Sequence, residues 1–368
     1  MNIDQVAAAF ENKNYQEAAK LLKVLLTESP ENPWVKVYVG KLHEVSGQRE
    51  KAETVYKEIL RNITNPKIVA AARQGLQRLE DKEKQRRQQA IEIGKADPSQ
   101  QEIGMLLIEP IKKDNKAELA KNFARVMQLD PYTARLILPT RNWRLYRTGL
   151  MGELQVYVKE LKKADIGSFC VSYPQINSIK VFEICYFQAL NSKPIAVCKN
   201  ESDQLGQITF EWREVAQQVE GLIPIFKAYA DFDLIRDTVN YKEQIQDFAH
   251  VWDLHLPRRN CILRLINQHY DFQQGIKFTP PQIPHSKGMV NSQTVGENWG
   301  RLTTLLTEKI PQKNTSAEFL PFGESVVDDE ALSRIKPHLN LFRRSESNWD
   351  QAFELYSRLV FLKSPQGS

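Results

Sequence analysis

Residues 14–60 read NYQEAAKLLKVLLTESPENPWVKVYVGKLHEVSGQREKAETVYKEIL, and the segment carries one apolar pattern twice. In the first pass Tyr15, Ala18, Leu22 and Leu25 recur at helical spacing, and Pro30 stops the helix. Thirty-four residues on, Ala52, Tyr56 and Ile59 take the places of Ala18, Leu22 and Leu25. A small residue lets two helix backbones approach closely, and a large one a turn later fills the space beside the crossing.

A 34-residue period with these features resembles the tetratricopeptide repeat (TPR) superfamily. Gly40 matches the small residue of a unit's first helix, and Ala52 that of its second. Two departures stand out. Arg49 replaces the usual aromatic, and the opening helix over residues 2–12 has Val6 where a small residue is usual. A third segment after Pro66 keeps Val69, Ala72, Leu76 and Leu79 on one stripe, then turns polar all round in EDKEKQRRQQ, residues 80–89. Its interleaved acids and bases fit a capping helix running into a solvated connector better than a nucleic-acid stripe. The resemblance implies a concave surface that holds a partner's peptide or helix. Carried over by position, its groove-facing residues are Phe10, Trp34, Val37, Lys41 and Glu44. Trp34 has two readings, a binding anchor or a residue packed on the preceding helix. Lys41 alone stands out as a cation, which disfavours a clamp for a peptide's two carboxylates.

After GKADPSQQE (94–102) the pattern changes. IGMLLIEP (103–110) reads as a buried strand. NKAE (115–118) predicts a capping box with Asn115 and Glu118, opening a helix with Leu119, Ala120, Phe123, Val126 and Met127 on one face. Asp130 and Pro131 start another helix. RNWRLYRTG (141–149) and GSFCVSY (167–173) read as strands around an amphipathic helix at 150–164. The order β-α-α-β-α-β predicts a ferredoxin-like α/β segment. It lacks a glycine-rich phosphate loop, which argues against nucleotide binding. Arg141, Trp143, Arg144, Tyr146 and Arg147 form a candidate nucleic-acid patch, with aromatics to stack on bases and arginines to meet phosphate. The competing reading turns Trp143 and Leu145 into the core and pairs the arginines with Glu109 or Glu153.

In the second half, residues 178–190, 193–200 and 204–212 read as an antiparallel meander. REVAQQVEGLIPIFKAYADF (213–232) is expected to be a helix covering that sheet, with Val215, Val219, Leu222, Ile223 and Phe226 inward and kinks at Gly221 and Pro224. HVWDLHL (250–256) and NCILRLIN (260–267) suggest a hairpin. A proline-punctuated linker at 280–298 precedes helices near 297–309, 329–342 and 347–363. The last carries Trp349, Phe353, Tyr356 and Leu359 on a stripe expected to dock on the body.

The 368 residues, 42% apolar and 26% charged, suit two or three globular domains. The expected fold is α+β and multidomain: TPR-like hairpins (1–95), the ferredoxin-like segment (100–175), an antiparallel β segment (176–278), and a linker with C-terminal helices (279–368). A net charge of +5 falls short of a dedicated nucleic-acid binder. Cys170, Cys185, Cys198 and Cys261 stand singly, as core thiols of a reducing compartment do. His250 and His255 lie five apart in a strand, hence on opposite faces, and His269, His285 and His338 have no partner at ligand spacing. No metal or cofactor is therefore expected. No G-x-S-x-G elbow is present, and Asp328, Asp329 and Glu330 read as a helix's acidic first turn. Without a signal peptide or a long apolar run the chain is expected to be cytoplasmic, with any membrane contact peripheral.

Residues 104–149, and the chain to about 278, resemble the bodies of TPR-containing proteins from cyanobacteria. That resemblance implies a photosynthetic setting, with a place at the thylakoid periphery. The expected function is a non-enzymatic scaffold or assembly factor. The alternative is an RNA- or ribosome-associated protein.

Overall fold

The computed structural model describes residues 3–233, 238–277, 294–310, 314–343 and 347–363. The chain divides into two units, Met1–Ile93 and Gly94–Ser368.

The first unit is helical: α1 (Ile3–Glu11), α2 (Tyr15–Glu28), α3 (Pro33–Val45), α4 (Arg49–Asn62) and the start of α5 (Pro66–Ala96). Asparagines mark the starts of α2 and α3. Asn14 accepts from the Glu17 amide (3.2 Å) and Asn32 from the Trp34 amide (3.0 Å), with Pro33 at the first helical position. Ala18, Leu22, Leu25, Ala52, Tyr56 and Ile59 are all buried, as their spacing requires.

The second unit begins with β1 (Ile103–Ile108), α6 (Lys116–Met127), α7 (Pro131–Ile137), β2 (Arg144–Leu150), α8 (Met151–Lys163), β3 (Ser168–Ser172) and α9 (Tyr173–Asn177). The expected order of elements is present, but the sheet is β2-β1-β3, antiparallel throughout. A ferredoxin-like sheet needs a fourth strand, so that expectation is corrected. The Asn115 capping box is corrected too. A 3-10 turn at Lys113–Asn115 leads into α6, and Asn115 has φ −101° and ψ 6° with no side-chain cap bond. Asp130 does cap α7, accepting from the Thr133 amide at 2.9 Å.

A larger sheet follows: β4 (Lys180–Ala189), β5 (Ile195–Lys199), β6 (Leu205–Thr209), β7 (Gln217–Asp233), β8 (Thr238–Leu256) and β9 (Cys261–Ile266). After it come α10 (Val295–Lys309), β10 (Thr315–Ser316), α11 (Phe319–Val326) and α12 (Asn348–Lys363). The strand order is β10-β7-β8-β9-β4-β5-β6. Residues 213–232 are thus mostly strand rather than helix. Val219 and Ile223 are four apart, a spacing that keeps side chains on one face in either geometry. The two supposed kink residues suit a strand instead. A side chain at Gly221 would strike the Phe353 ring. Pro224 lies where β7 pairs with β8 alone, since β10 reaches only Gln218 and Val219, and a bulge follows between Ile225 and Phe226.

The expected helix at 329–342 is also corrected. Asp329 caps only a 3-10 turn, Glu330–Arg334, and Pro337 then denies a helix its amide. Residues 280–293 of the expected linker lie outside the described residues, and α10 begins at the end of it with a Thr294–Glu297 capping box.

The segments expected as separate domains share one core. α12 lies among Met105, Leu145 and Val171 of the small sheet and Val219, Val251 and Ile266 of the large one. Helices α6, α7 and α8 cover the small sheet's other face, and α10 covers the large sheet's other face. Every residue of α12 from Ala352 to Phe361 is buried, as in a helix enclosed on all sides.

Gly221→Val should therefore force Phe353 and β7 apart and destabilise the second unit by about 1–3 kcal/mol. A urea denaturation midpoint equal to that of the unmodified chain would contradict the close β7–α12 contact.

Candidate functional site

In the first unit the ring of Tyr56, from α4, is clasped between Gly40 of α3 and Gly75 of α5; a Cβ at either glycine would overlap it. Its hydroxyl donates to Glu44 Oε2 (3.3 Å), which Arg78 Nη2 (3.0 Å) also meets, while Lys82 Nζ lies 3.2 Å from Oε1. Burial, then the Glu44 charge, pushes the Tyr56 phenol up. Burial alone would raise the Glu44 carboxyl too, but Arg78 and Lys82 outweigh it and hold it below the usual carboxylate range. Glu44 is thus an internal anchor and not a groove residue. Val37, at 0% exposure, packs with Tyr56, Ile59, Ile68 and Ala72. It cannot meet a partner, because α5 closes over the position. Trp34 is half-buried against this same cluster, which is built from α3, α4 and α5 and not from the preceding helix α2.

Phe10 and Lys41 remain, joined by a residue that positional carry-over missed. Tyr38 lies 5.4 Å from the Phe10 ring and 4.9 Å beneath the Lys41 ammonium. Its signal was the i, i+4, i+7 spacing of Trp34, Tyr38 and Lys41 along one helix face. Burial, then Glu11 and Asp4, raises the Tyr38 phenol; burial, then Arg78, lowers the Lys41 amine. The half-buried strip Phe10–Tyr38–Lys41 therefore runs from acidic neighbours on α1 towards basic ones on α5.

Residues 9–76 match the tetratricopeptide repeat family. The matched TPR segment contains Gly40, Tyr56 and Gly75, and so the whole clasp. No curated protein and no solved structure matches the chain.

The arginine-rich strand is not one surface. Trp143 packs at 5.4 Å on Phe169 and 6.2 Å on Tyr356 between the two sheets, while Tyr146 meets Phe123 edge-on at 5.3 Å on the opposite face. Neither ring is presented flat to a nucleic-acid base, which corrects the stacking role expected of them. Arg147 pairs with Glu153 (3.5 Å) and lies 5.1 Å over Tyr157; Arg144 donates to the Leu136 carbonyl (3.3 Å), and Arg141 is exposed.

A polar cluster that the sequence did not reveal lies inside the second unit. Arg264 of β9 grips both Asp253 oxygens, at 2.8 and 2.7 Å, and reaches Glu354 Oε2 of α12 at 2.5 Å. Arg358 holds the other Glu354 oxygen at 2.7 Å. Ser357 Oγ donates to Asp253 Oδ2 (2.5 Å), so His255 Nε2, 3.0 Å away, is the donor to that hydroxyl and Nδ1 is left without a partner. Burial opposes the Arg264 charge, yet Asp253 and Glu354 raise its pKa further. Burial likewise opposes the Glu354 charge, but Arg264, His338 and Arg358 hold its carboxyl far below the ordinary range. Burial, then Arg264, lowers the His255 imidazole to about 3, leaving it neutral.

Serine, histidine and aspartate meet here without forming a hydrolase triad. Asp253 contacts the serine instead of orienting the histidine, and all three side chains are sealed from solvent. At the cluster's edge His338 sits 3.2 Å from Glu354 Oε1 and 3.1 Å from Glu201 Oε1. Among the described residues no three His, Cys, Asp or Glu side chains converge as a metal site.

The cluster makes stability pH-dependent. His255 titrates near 6.5 when unfolded and near 3 when folded. Between those values the unfolded chain binds the extra proton, so His255 costs stability as pH falls, by up to about 1.4 kcal/mol per pH unit. Asp350, raised by burial to about 6, has the opposite sign and stabilises the fold as pH falls below that value. Comparing the native chain with His255→Gln cancels the Asp350 contribution. The native chain should lose stability relative to the variant as urea titrations move from pH 7 to pH 4 (about the span of the histidine's shift). A pH-independent difference would contradict a buried neutral imidazole.

Proposed function

We propose that the chain is a non-enzymatic scaffold whose first unit holds a peptide or helix of a protein partner on the Phe10–Tyr38–Lys41 strip. TPR segments are protein-interaction modules, and the family match covers this strip. The strip is the observation that carries the reading. Its rings meet at a tilt and are partly exposed, its cation lies on an aromatic face, and the flanking charges change sign along it. A partner segment with an apolar centre, a basic end towards Asp4 and Glu11 and an acidic end towards Lys41 fits those features. In the second unit the Ser357–His255–Asp253 group is closed to substrate. The resemblance to cyanobacterial TPR-containing proteins supports assembly of a photosynthetic complex as the task. No helix among the described residues is long and apolar enough to cross a membrane, so thylakoid contact is proposed as peripheral.

A second reading, RNA binding, is favoured by one observation. Arg135 and Arg141 make no ion pair among the described residues, and Tyr132, one turn from Arg135 on α7, is 73% exposed.

Affinity capture from the host separates these readings. Tyr38→Ala with Lys41→Glu should reduce capture of the principal partner at least about 30-fold, as loss of a binding hot spot does, while the circular dichroism stays unchanged. Undiminished capture would place the binding surface elsewhere. Nuclease-sensitive capture that weakens steeply with salt, and is lost in Arg135→Glu with Arg141→Glu, would favour RNA.

A further inference from the structure

The large sheet ends in a strand whose own residues carry none of the usual guards. Edge strands are normally protected by charge, proline, bulges or brevity, because their free amides and carbonyls template another strand. The other edges among the described residues are guarded or covered. β10 has two residues, the free length of β7 carries Pro224, a bulge and Lys227, β2 carries Arg144 and Arg147, and β3 is buried or half-buried throughout. β6 has the sequence LGQIT, with no charge, no proline and a regular ladder to β5. Leu205 is 68% exposed, and a Cβ at Gly206 would meet nothing within 4 Å.

Backbone parity shows which groups point outward. Asn200 N–H donates to the Gln204 carbonyl and Phe210 N–H to the Pro194 carbonyl, so Gln204, Gly206, Ile208 and Phe210 direct their polar groups at β5. Leu205, Gln207 and Thr209 direct theirs away. Arg259 occupies one position on the Thr209 carbonyl (2.8 Å), which leaves its second lone pair.

We propose that β6 is the seam of a symmetric dimer, pairing antiparallel with β6 of a second copy about a two-fold axis at Gln207. That register sets Gln207 against Gln207 and Leu205 against Thr209, so every outward-pointing residue of one copy meets an outward-pointing residue of the other. Beyond the strand, Asp203 lies in the hairpin turn at φ 57°, at the same end of the seam as Glu211 of the second copy. Glu211 is already bound by Arg213 (2.6 Å) and Lys193 (3.8 Å), so Asp203 meets two cations and one anion, a favourable pairing at each end. A self-complementary register with matching end charges selects a second copy of this chain over an unrelated strand. The seam is short and buries less than the roughly 800 Å² per partner of a standard interface. Dimerisation is accordingly weak, with a dissociation constant on the order of 10 to 100 µM. The dimer is bivalent, carrying two copies of the TPR segment.

Sedimentation velocity on the full chain, from about 1 to about 200 µM, tests this. Gln207→Pro deletes an outward amide that the β5 ladder does not use, so the fold tolerates it while the seam is lost. Leu205→Lys keeps every amide and adds the charge that edge strands normally carry. The unmodified chain should dimerise with concentration. Each variant should raise the dissociation constant at least about tenfold with an unchanged thermal midpoint, and Arg213→Glu should weaken the dimer most at low salt. A monomer across the whole range, or a dimer indifferent to Leu205→Lys, would overturn the proposal.

Discussion

Arg264 is held between Asp253 and Glu354 with no access to solvent, and the arrangement of the second unit follows from that contact. Burying ions costs several kcal/mol each, recovered only through near-ideal geometry and full hydrogen bonding. The geometry here is bidentate on one side and short on the other, and Asp253 and Glu354 are balanced by Arg264 and Arg358. The contribution is best understood as orientation. α12 is apolar over most of its circumference, so hydrophobic packing alone would accept several rotations about its axis. Glu354, Ser357 and Arg358 occupy adjacent positions on one helical face. The rotation that brings Glu354 and Ser357 onto Asp253, His255 and Arg264, and Arg358 onto the Ile176 carbonyl, fixes the helix, and with it the stacking of two sheets on its sides.

How much was legible in the sequence depended on the range of the interactions. The helical hairpins, the β4–β6 meander and the apolar stripe of α12 follow from local periodicity and were readable. Residues 213–232 were not, because a spacing of four is common to both periods, and the decision lay with seventeen residue pairs across to β8. The 329–342 segment shows the opposite fault, since Pro337 was visible in the sequence and outweighs the acidic start signal before it. The clasp on Arg264 was invisible in principle. Its partners lie 11 and 90 residues away, and within β9 it reads as one polar residue in an apolar strand.

In the candidate binding strip Phe10, Tyr38 and Lys41 stay partly exposed. Val37 and Glu44 were taken inward because α5 follows as a long closing helix, bringing Gly75, Arg78 and Lys82 over them. The Tyr56 ring between two glycines is what permits that approach. The same residue types that mark the repeat thus also determine which positions remain open to a partner, leaving a narrow aromatic and cationic strip. The second unit, by contrast, spends its polar side chains internally. This division supports recognition by the helical unit and a structural role for the body.

Hydrogen–deuterium exchange on the full chain, resolved by peptide, tests the central claim that the C-terminal helix is the core of the second unit. Amides of α12 should exchange as slowly as those of the paired segments of β8 and β9, and should open together with them. Rapid exchange throughout α12 while β8 and β9 remain protected would contradict the account, showing that the ionic clasp does not lock the helix between the sheets.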